Sequence, residues 1–255
     1  MEGPARANGN RQPLKMRPKC NQAVTLFSPE GRLPQVEYAV NSVKKGSTVV
    51  GIRCFNCVVM ALEQKVPLPM QMERSLPRIF PVDENVMMTY AGMAPDGRVL
   101  LARARSECKK LRTLHGGSLS VKQVTEYIAD LQLKHTQAPD CRPFGVSCLV
   151  GGFDPNLKPR LYQTDPYGNY YEYKAWAIGR SEETVQAYLE TVFTTDFVPN
   201  RHRAIKLAID ALLLVCQPEN KNFEVVLLKR NNHFVRLDAE IVAEYVNSMD
   251  ESAEG

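Results

Sequence analysis

The chain has 255 residues, 44% of them hydrophobic, enough to bury a substantial core as one large domain. Lysine and arginine total 32 against 28 acidic residues, a net charge of +4 that argues against nucleic acid as the main partner. No apolar run approaches the roughly 18 residues of a membrane helix, the best being Ala211 to Cys216 beside Asp210.

In chain order, residues 1–22 read as a flexible basic arm, with Arg6, Arg11, Lys15, Arg17 and Lys19 against Glu2 and with interleaved prolines. This arm shows no hydrophobic segment of secretory type, and Met1-Glu2 does not read as a myristoylation start. Residues 23–246 carry the folded domain, and 247–255 an acidic tail. Thr48–Arg53 and Cys57–Leu62 are β-rich runs joined through Phe55-Asn56, which predicts a hairpin. Val86–Ala91 reads as a third strand. Leu101, Ala104, Cys108 and Leu111 then fall at helical spacing, as do Val121, Val124, Ile128 and Leu131.

A second β block follows at Gly145–Gly151, Arg160–Thr164 and Tyr170–Ile178, with turns at Asp154-Pro155 and Asp165-Pro166-Tyr167-Gly168. Ser181 is placed to cap a helix whose first turn holds Glu182 and Glu183. Ile205, Ala208, Leu212 and Val215 mark another helix, Phe223–Leu228 resumes strand, and a short helix from Asp238 ends the fold. Paired runs, not strict βα alternation, argue against a doubly wound parallel sheet. The order predicts an α+β fold, a four-layer αββα sandwich of two antiparallel sheets, each covered by a helix pair.

Few residues offer chemistry. Cys54-x-x-Cys57 lacks the second pair that a structural zinc site needs, and strand, not helix, follows it, so metal and redox roles are not expected. These two read as hairpin cysteines. Seven cysteines in apolar segments fit reduced thiols of the cytosol or nucleus. His115, His135, His202 and His233 fall in helix ends or polar loops, where surface positions are expected, and Leu149 breaks the nucleophile-elbow pattern around Ser147. Gly151-Gly152-Phe153-Asp154 reads as a strand end, not a phosphate loop.

Ser47 stands out more. A hydroxyl at a free N-terminus uses its own α-amine as general base, and Gly46-Ser47-Thr48 at the head of a strand is the raw material for that. Yet 46 residues precede it, and inside a chain it has no such amine. Without processing at Gly46, Ser47 merely begins a strand; with processing, the chain is a self-processed N-terminal-nucleophile peptidase. Glu63 is the acidic neighbour such a site wants, although an exposed acid at a strand end is equally common.

Several motifs together carry a resemblance. Phe27-Ser28-Pro29-Glu30-Gly31-Arg32-Leu33, Gln35-Val36-Glu37-Tyr38-Ala39 and Lys44-Lys45-Gly46-Ser47-Thr48 resemble the signature of proteasome alpha subunits. Ala91-Gly92 with Asp96, Arg142-Pro143-Phe144-Gly145, Tyr162-Gln163-Thr164-Asp165-Pro166 and Ala177-Ile178-Gly179 extend it over about Val24 to Leu228. Val43–Thr48, Arg105-Ser106-Glu107-Cys108 and Pro159–Asp165 are similar to the fourth alpha position of the eukaryotic ring, the alpha type-7 class. The third position is the nearest competitor.

The resemblance implies the αββα sandwich with an N-terminal helix across its top, and a non-catalytic, gating subunit of the 20S core. In that helix Val36, Val40 and Val43 supply one apolar face, and Pro34 is tolerable in the first turn. Implied partners are the other alpha subunits of a seven-membered ring, the beta rings and activator C-termini, with no cofactor, in cytoplasm and nucleus and in ubiquitin-dependent degradation. Glu37, Gly46, Arg78 and Gly92 are implied to form the activator-binding pocket, and Cys20, Asn21, Pro29 and Tyr38 the gate.

Three departures stand out. Cys20-Asn21-Gln22 replaces the usual Tyr-Asp-Arg, Arg78 stands where the pocket normally has lysine, and Tyr167 stands where serine is usual.

Overall fold

A computed structural model of the chain describes residues 24–64, 70–72, 77–193, 199–216 and 222–253. The expected basic arm, with Cys20 and Asn21, lies outside the described residues.

Helix α1 (Pro34–Val43) opens the fold, with Pro34 in its first turn and Val36, Ala39 and Val43 buried. The expected face is therefore rotated slightly, Val40 being half-buried. The strands are β1 (Val49–Arg53), β2 (Cys57–Glu63), β3 (Phe80–Asp83), β4 (Val86–Gly92), β5 (Val146–Phe153), β6 (Pro159–Thr164), β7 (Tyr170–Glu172), β8 (Ala175–Ile178), β9 (Phe223–Lys229) and β10 (Phe234–Arg236). They form two five-stranded antiparallel sheets, ordered β10-β9-β2-β1-β8 and β3-β4-β5-β6-β7.

Between the sheets lies a core that includes Met60, Leu62, Met87, Leu149, Leu161 and Val226. Outside the second sheet, helices α2 (Ala94–His115) and α3 (Val121–Gln137) bury Leu100, Ala104 and Ile128 against Val146 and Val150. On the first sheet, α4 (Glu182–Val192) and α5 (Arg201–Leu213) place Val185, Ile205, Ala208 and Leu212 over Val50, Ile52, Val59 and Leu227. The four layers follow the predicted order. Helix α6 (Ala239–Ala253) adds Val242 and Val246 to that outer core and runs 15 residues, longer than expected and into the acidic stretch.

Three sequence expectations need correction. Tyr170–Ile178 is not one strand. Residues 170–172 pair with β6 in one sheet and 175–178 with β1 in the other, so the chain crosses between sheets at Tyr173-Lys174. The crossing is pinned because Tyr173 N–H donates to Leu161 O at 2.9 Å and Arg53 N–H donates to Lys174 O at 2.8 Å. Ser181 precedes α4, but its side chain makes no capping bond; the Glu182 carboxylate accepts the Gly179 N–H at 3.3 Å instead. His135 is not a plain surface residue, since its ring lies tilted against Phe144, centroids 4.2 Å apart, where α3 meets the approach to β5.

Helix α1 lies across β4 and β5, and its Val43 joins the core between the sheets. Burying Val36 and Val43 contributes roughly 1.5–3 kcal/mol each. Helix α1, ahead of Ser47, is thus part of the sandwich and adds to its inter-sheet core.

Candidate functional site

Where α1 ends and β1 begins, three backbones stack without room for side chains. A Cβ on Gly46 would stand 2.3 Å from Gly92 N, and one on Gly92 would stand 2.2 Å from Gly145 O. Gly92 also has φ +113, a left-handed conformation suited to glycine. Met93 N–H donates to Gly145 O at 3.0 Å, tying the start of α2 to the approach to β5.

Asp96, in the first turn of α2, locks this stack. Its carboxylate accepts both Arg142 guanidinium nitrogens at 2.6 Å and the Gly145 N–H at 3.0 Å. Burial alone would raise the Asp96 pKa, but the Arg142 hydrogen bonds and the Gly145 amide together hold it below the usual carboxylate value. The motifs containing Asp96 and Arg142 were visible in the sequence; their pairing was not.

Arg78 reaches the same end of the sandwich. Its Nη1 donates to Ser47 Oγ at 2.9 Å, and its backbone N–H donates to Glu224 Oε2 at 2.8 Å. Glu224 is buried in β9 and also meets Arg236 Nη2 at 3.0 Å. Burial is the main reason its pKa is raised. Sequence reasoning missed Glu224, although an acid in an otherwise apolar strand was the signal. Among the described residues, no carboxylate pairs with the Arg78 guanidinium.

Among the described residues, no general base sits beside Ser47 in this arrangement. Its neighbour is a guanidinium, which stays protonated, and its own nitrogen is a peptide amide. The expected acidic neighbour is nearby, because Glu63 N–H donates to Thr48 O at 3.3 Å, but the Glu63 carboxylate is engaged by Arg180 Nη2 at 3.2 Å. Arg180 N–H in turn donates to Gly46 O at 3.1 Å.

The structure thus gathers Gly46, Gly92 and Arg78, and Glu37 lies on α1. It meets Arg32 at 3.7 Å. It also bears on Tyr167, whose phenol pKa is raised first by burial and next by Glu37. Tyr167 is one of the departures from the family pattern, and here it shares surroundings with a residue expected in the pocket. Of the gate residues, Pro29 lies in a turn closed by Ser28 N–H donating to Arg32 O at 2.8 Å, with Gly31 at φ +76. Tyr38 is exposed on α1.

The remaining candidates fall into the framework. Cys54 and Cys57 close the β1–β2 hairpin, with Cys54 N–H donating to Cys57 O at 2.9 Å, and both are buried. Ser147 is buried in β5. His202, in the first turn of α5, places Nδ1 2.7 Å from the Tyr245 hydroxyl.

Comparison with known proteins agrees with this framework. Residues 43–228 match the proteasome subunit family, and residues 21–41 match the N-terminal signature of A-type proteasome subunits. The chain is 44% identical over 239 residues to the proteasome alpha type-7-like subunit of Macaca fascicularis, covering 94% of this chain and 96% of that one. It is 41% identical to alpha type-7-1 of Drosophila melanogaster over the same shares. With alpha type-8 of Mus musculus the identity is 47% over 216 residues, 85% of this chain and 86% of that one. With the N-terminal signature, the sandwich and relatives of this coverage in agreement, the chain belongs to the proteasome alpha subunit family.

Proposed function

We propose that this 20S core subunit is non-catalytic and contributes to alpha-ring assembly, pore gating and activator docking in ubiquitin-dependent protein degradation. The observation that carries the reading is the leader built into the fold. Val36 and Val43 are buried, and Gly46 is pressed against Gly92. A peptidase using Ser47 would need that segment removed and a base supplied, while two arginines occupy the surroundings of Ser47 and Glu63. The purified chain is expected to hydrolyse no fluorogenic peptide; turnover that disappears in Ser47→Ala would establish the peptidase instead.

Its ring place is the fourth alpha position, a reading supported by relatives named alpha type-7 and type-8. Its neighbours are then the other alpha subunits of a seven-membered ring and the beta ring below, and its compartments the cytoplasm and nucleus. Cell fractionation followed by native purification checks both.

In activator docking, Arg78 is the residue for a C-terminal carboxylate. Its guanidinium has a serine hydroxyl, not an acid, as partner, so its charge is not neutralised by an ion pair among the described residues. A planar fork grips a carboxylate with two hydrogen bonds where lysine acts as a point charge. Arg78→Ala is expected to weaken activator docking at this seam by roughly tenfold while the ring still assembles. Unchanged activator affinity in assembled particles would remove Arg78 from that role.

At the gate, Cys20 and Asn21 replace a phenol and a charged acceptor, leaving weaker hydrogen bonds to join Pro29 and Tyr38. Restoring Tyr and Asp at those two positions is expected to raise activator-stimulated peptide hydrolysis by the assembled particle. Equal basal and stimulated rates in the two particles would assign gating to the other subunits.

A further inference from the structure

At one end of the first sheet, three segments bring cations to one concave surface. Arg201 comes from the start of α5, Lys229 from the end of β9 and Arg230 from the turn toward β10. Asn56, Asn200, Asn231 and His202 also line it, and the groove has a volume of about 710 Å³. The turn is braced because Arg230 N–H donates to Asn56 O at 3.0 Å and Lys229 N–H to His233 O at 3.1 Å. Each arginine is exposed and Lys229 is half-buried.

Among the described residues, no carboxylate lines the groove. Among the described residues none pairs with Arg201, Lys229 or Arg230. Other arginines among the described residues are engaged, as Arg142 is with Asp96 and Arg160 with Asp154 and Glu172. The charges converge on Cys57 at the groove floor. Its thiol pKa is lowered first by the hydrogen bond with Cys54, against burial, and then by Arg201 and Lys229. Unneutralised cations in a concavity focus potential and concentrate anions.

We propose that this groove binds a small molecule carrying two or more phosphate groups. Two arginines on separate segments each offer a fork that fits phosphate oxygens, and Lys229 adds a third charge between them. The total of three positive charges suits a pyrophosphate-like anion. The volume lies within the roughly 300–1,000 Å³ typical of small-molecule sites. An acidic peptide fits less well, since the lining residues described are asparagines, arginines, Lys229, His202 and Cys57, with no aliphatic side chain to seat its apolar residues.

The test is titration calorimetry of the full-length chain with inorganic pyrophosphate at fixed ionic strength, with sulfate as the control anion. Saturable binding of pyrophosphate, well above sulfate, is expected, and Arg201→Gln or Arg230→Gln is expected to weaken it roughly tenfold each. Both residues are exposed, and a thermal melt of each variant verifies that it folds. Arg230→Lys, which keeps the charge and loses the fork, is expected to fall between wild type and Arg230→Gln. Pyrophosphate binding no stronger than sulfate, or undiminished in both Gln variants, would overturn the proposal. So would displacement of bound pyrophosphate by a synthetic peptide of residues 247–255, which would make the groove a peptide site.

Discussion

Gly92→Ala is expected to cost the purified chain roughly 2–5 kcal/mol of stability. Two terms add. The new Cβ would sit 2.2 Å from Gly145 O, a backbone atom that cannot swing aside, and φ is +113. Gly116→Ala separates them. Gly116 also has positive φ, +70, but nothing lies within 4 Å of its added Cβ, so only the conformational cost of about 1 kcal/mol remains. Urea denaturation of the three proteins measures the difference. If Gly92→Ala loses no more than Gly116→Ala, the close backbone stack at the leader end is not what holds that end together.

Asp96→Asn is expected to lose about 2–4 kcal/mol, because it removes a buried charge whose partners include both Arg142 nitrogens and the Gly145 amide. The pH dependence gives a second readout. The folded-state pKa of Asp96 is depressed, so its contribution is present above the unfolded carboxylate value of about 3.9. That contribution disappears as pH falls through the lower folded value. Wild type should therefore lose more stability than Asp96→Asn between neutral pH and about pH 3. Parallel stability–pH curves for the two proteins would mean that the ion pair does not hold the Gly46–Gly92–Gly145 stack in place.

The hydrophobic pattern made most of the fold legible. The central strands were legible as short continuous apolar runs, buried on both faces, and the helices by their 3.6-residue spacing. The failures share a cause. Tyr170–Ile178 has no glycine or proline at Tyr173-Lys174, so no turn signal marks the step from one sheet to the other; the partners β6 and β1 decide it. Strands β3 and β10 have only four and three residues, lie at sheet edges, and in β3 include Pro81. Neither is long enough to display a period.

The site was half legible. Gly46, Gly92 and Arg78 came from motifs and do share one end of the sandwich. The residues that hold them are remote in sequence: Arg142 lies 46 residues from Asp96, and Glu224 lies 146 from Arg78. A separation of that kind leaves no local pattern. Glu37 was grouped with Arg78 on the strength of the resemblance, yet its observed neighbours are Arg32 and Tyr167.

The central claim, a retained leader on a non-catalytic ring subunit, is tested most directly by intact-mass spectrometry of the chain within its natively purified particle. A chain that co-elutes with other proteasome subunits and still carries α1 ahead of Ser47 is the expected result. A mature chain beginning at Ser47, with its α-amine free, would contradict it.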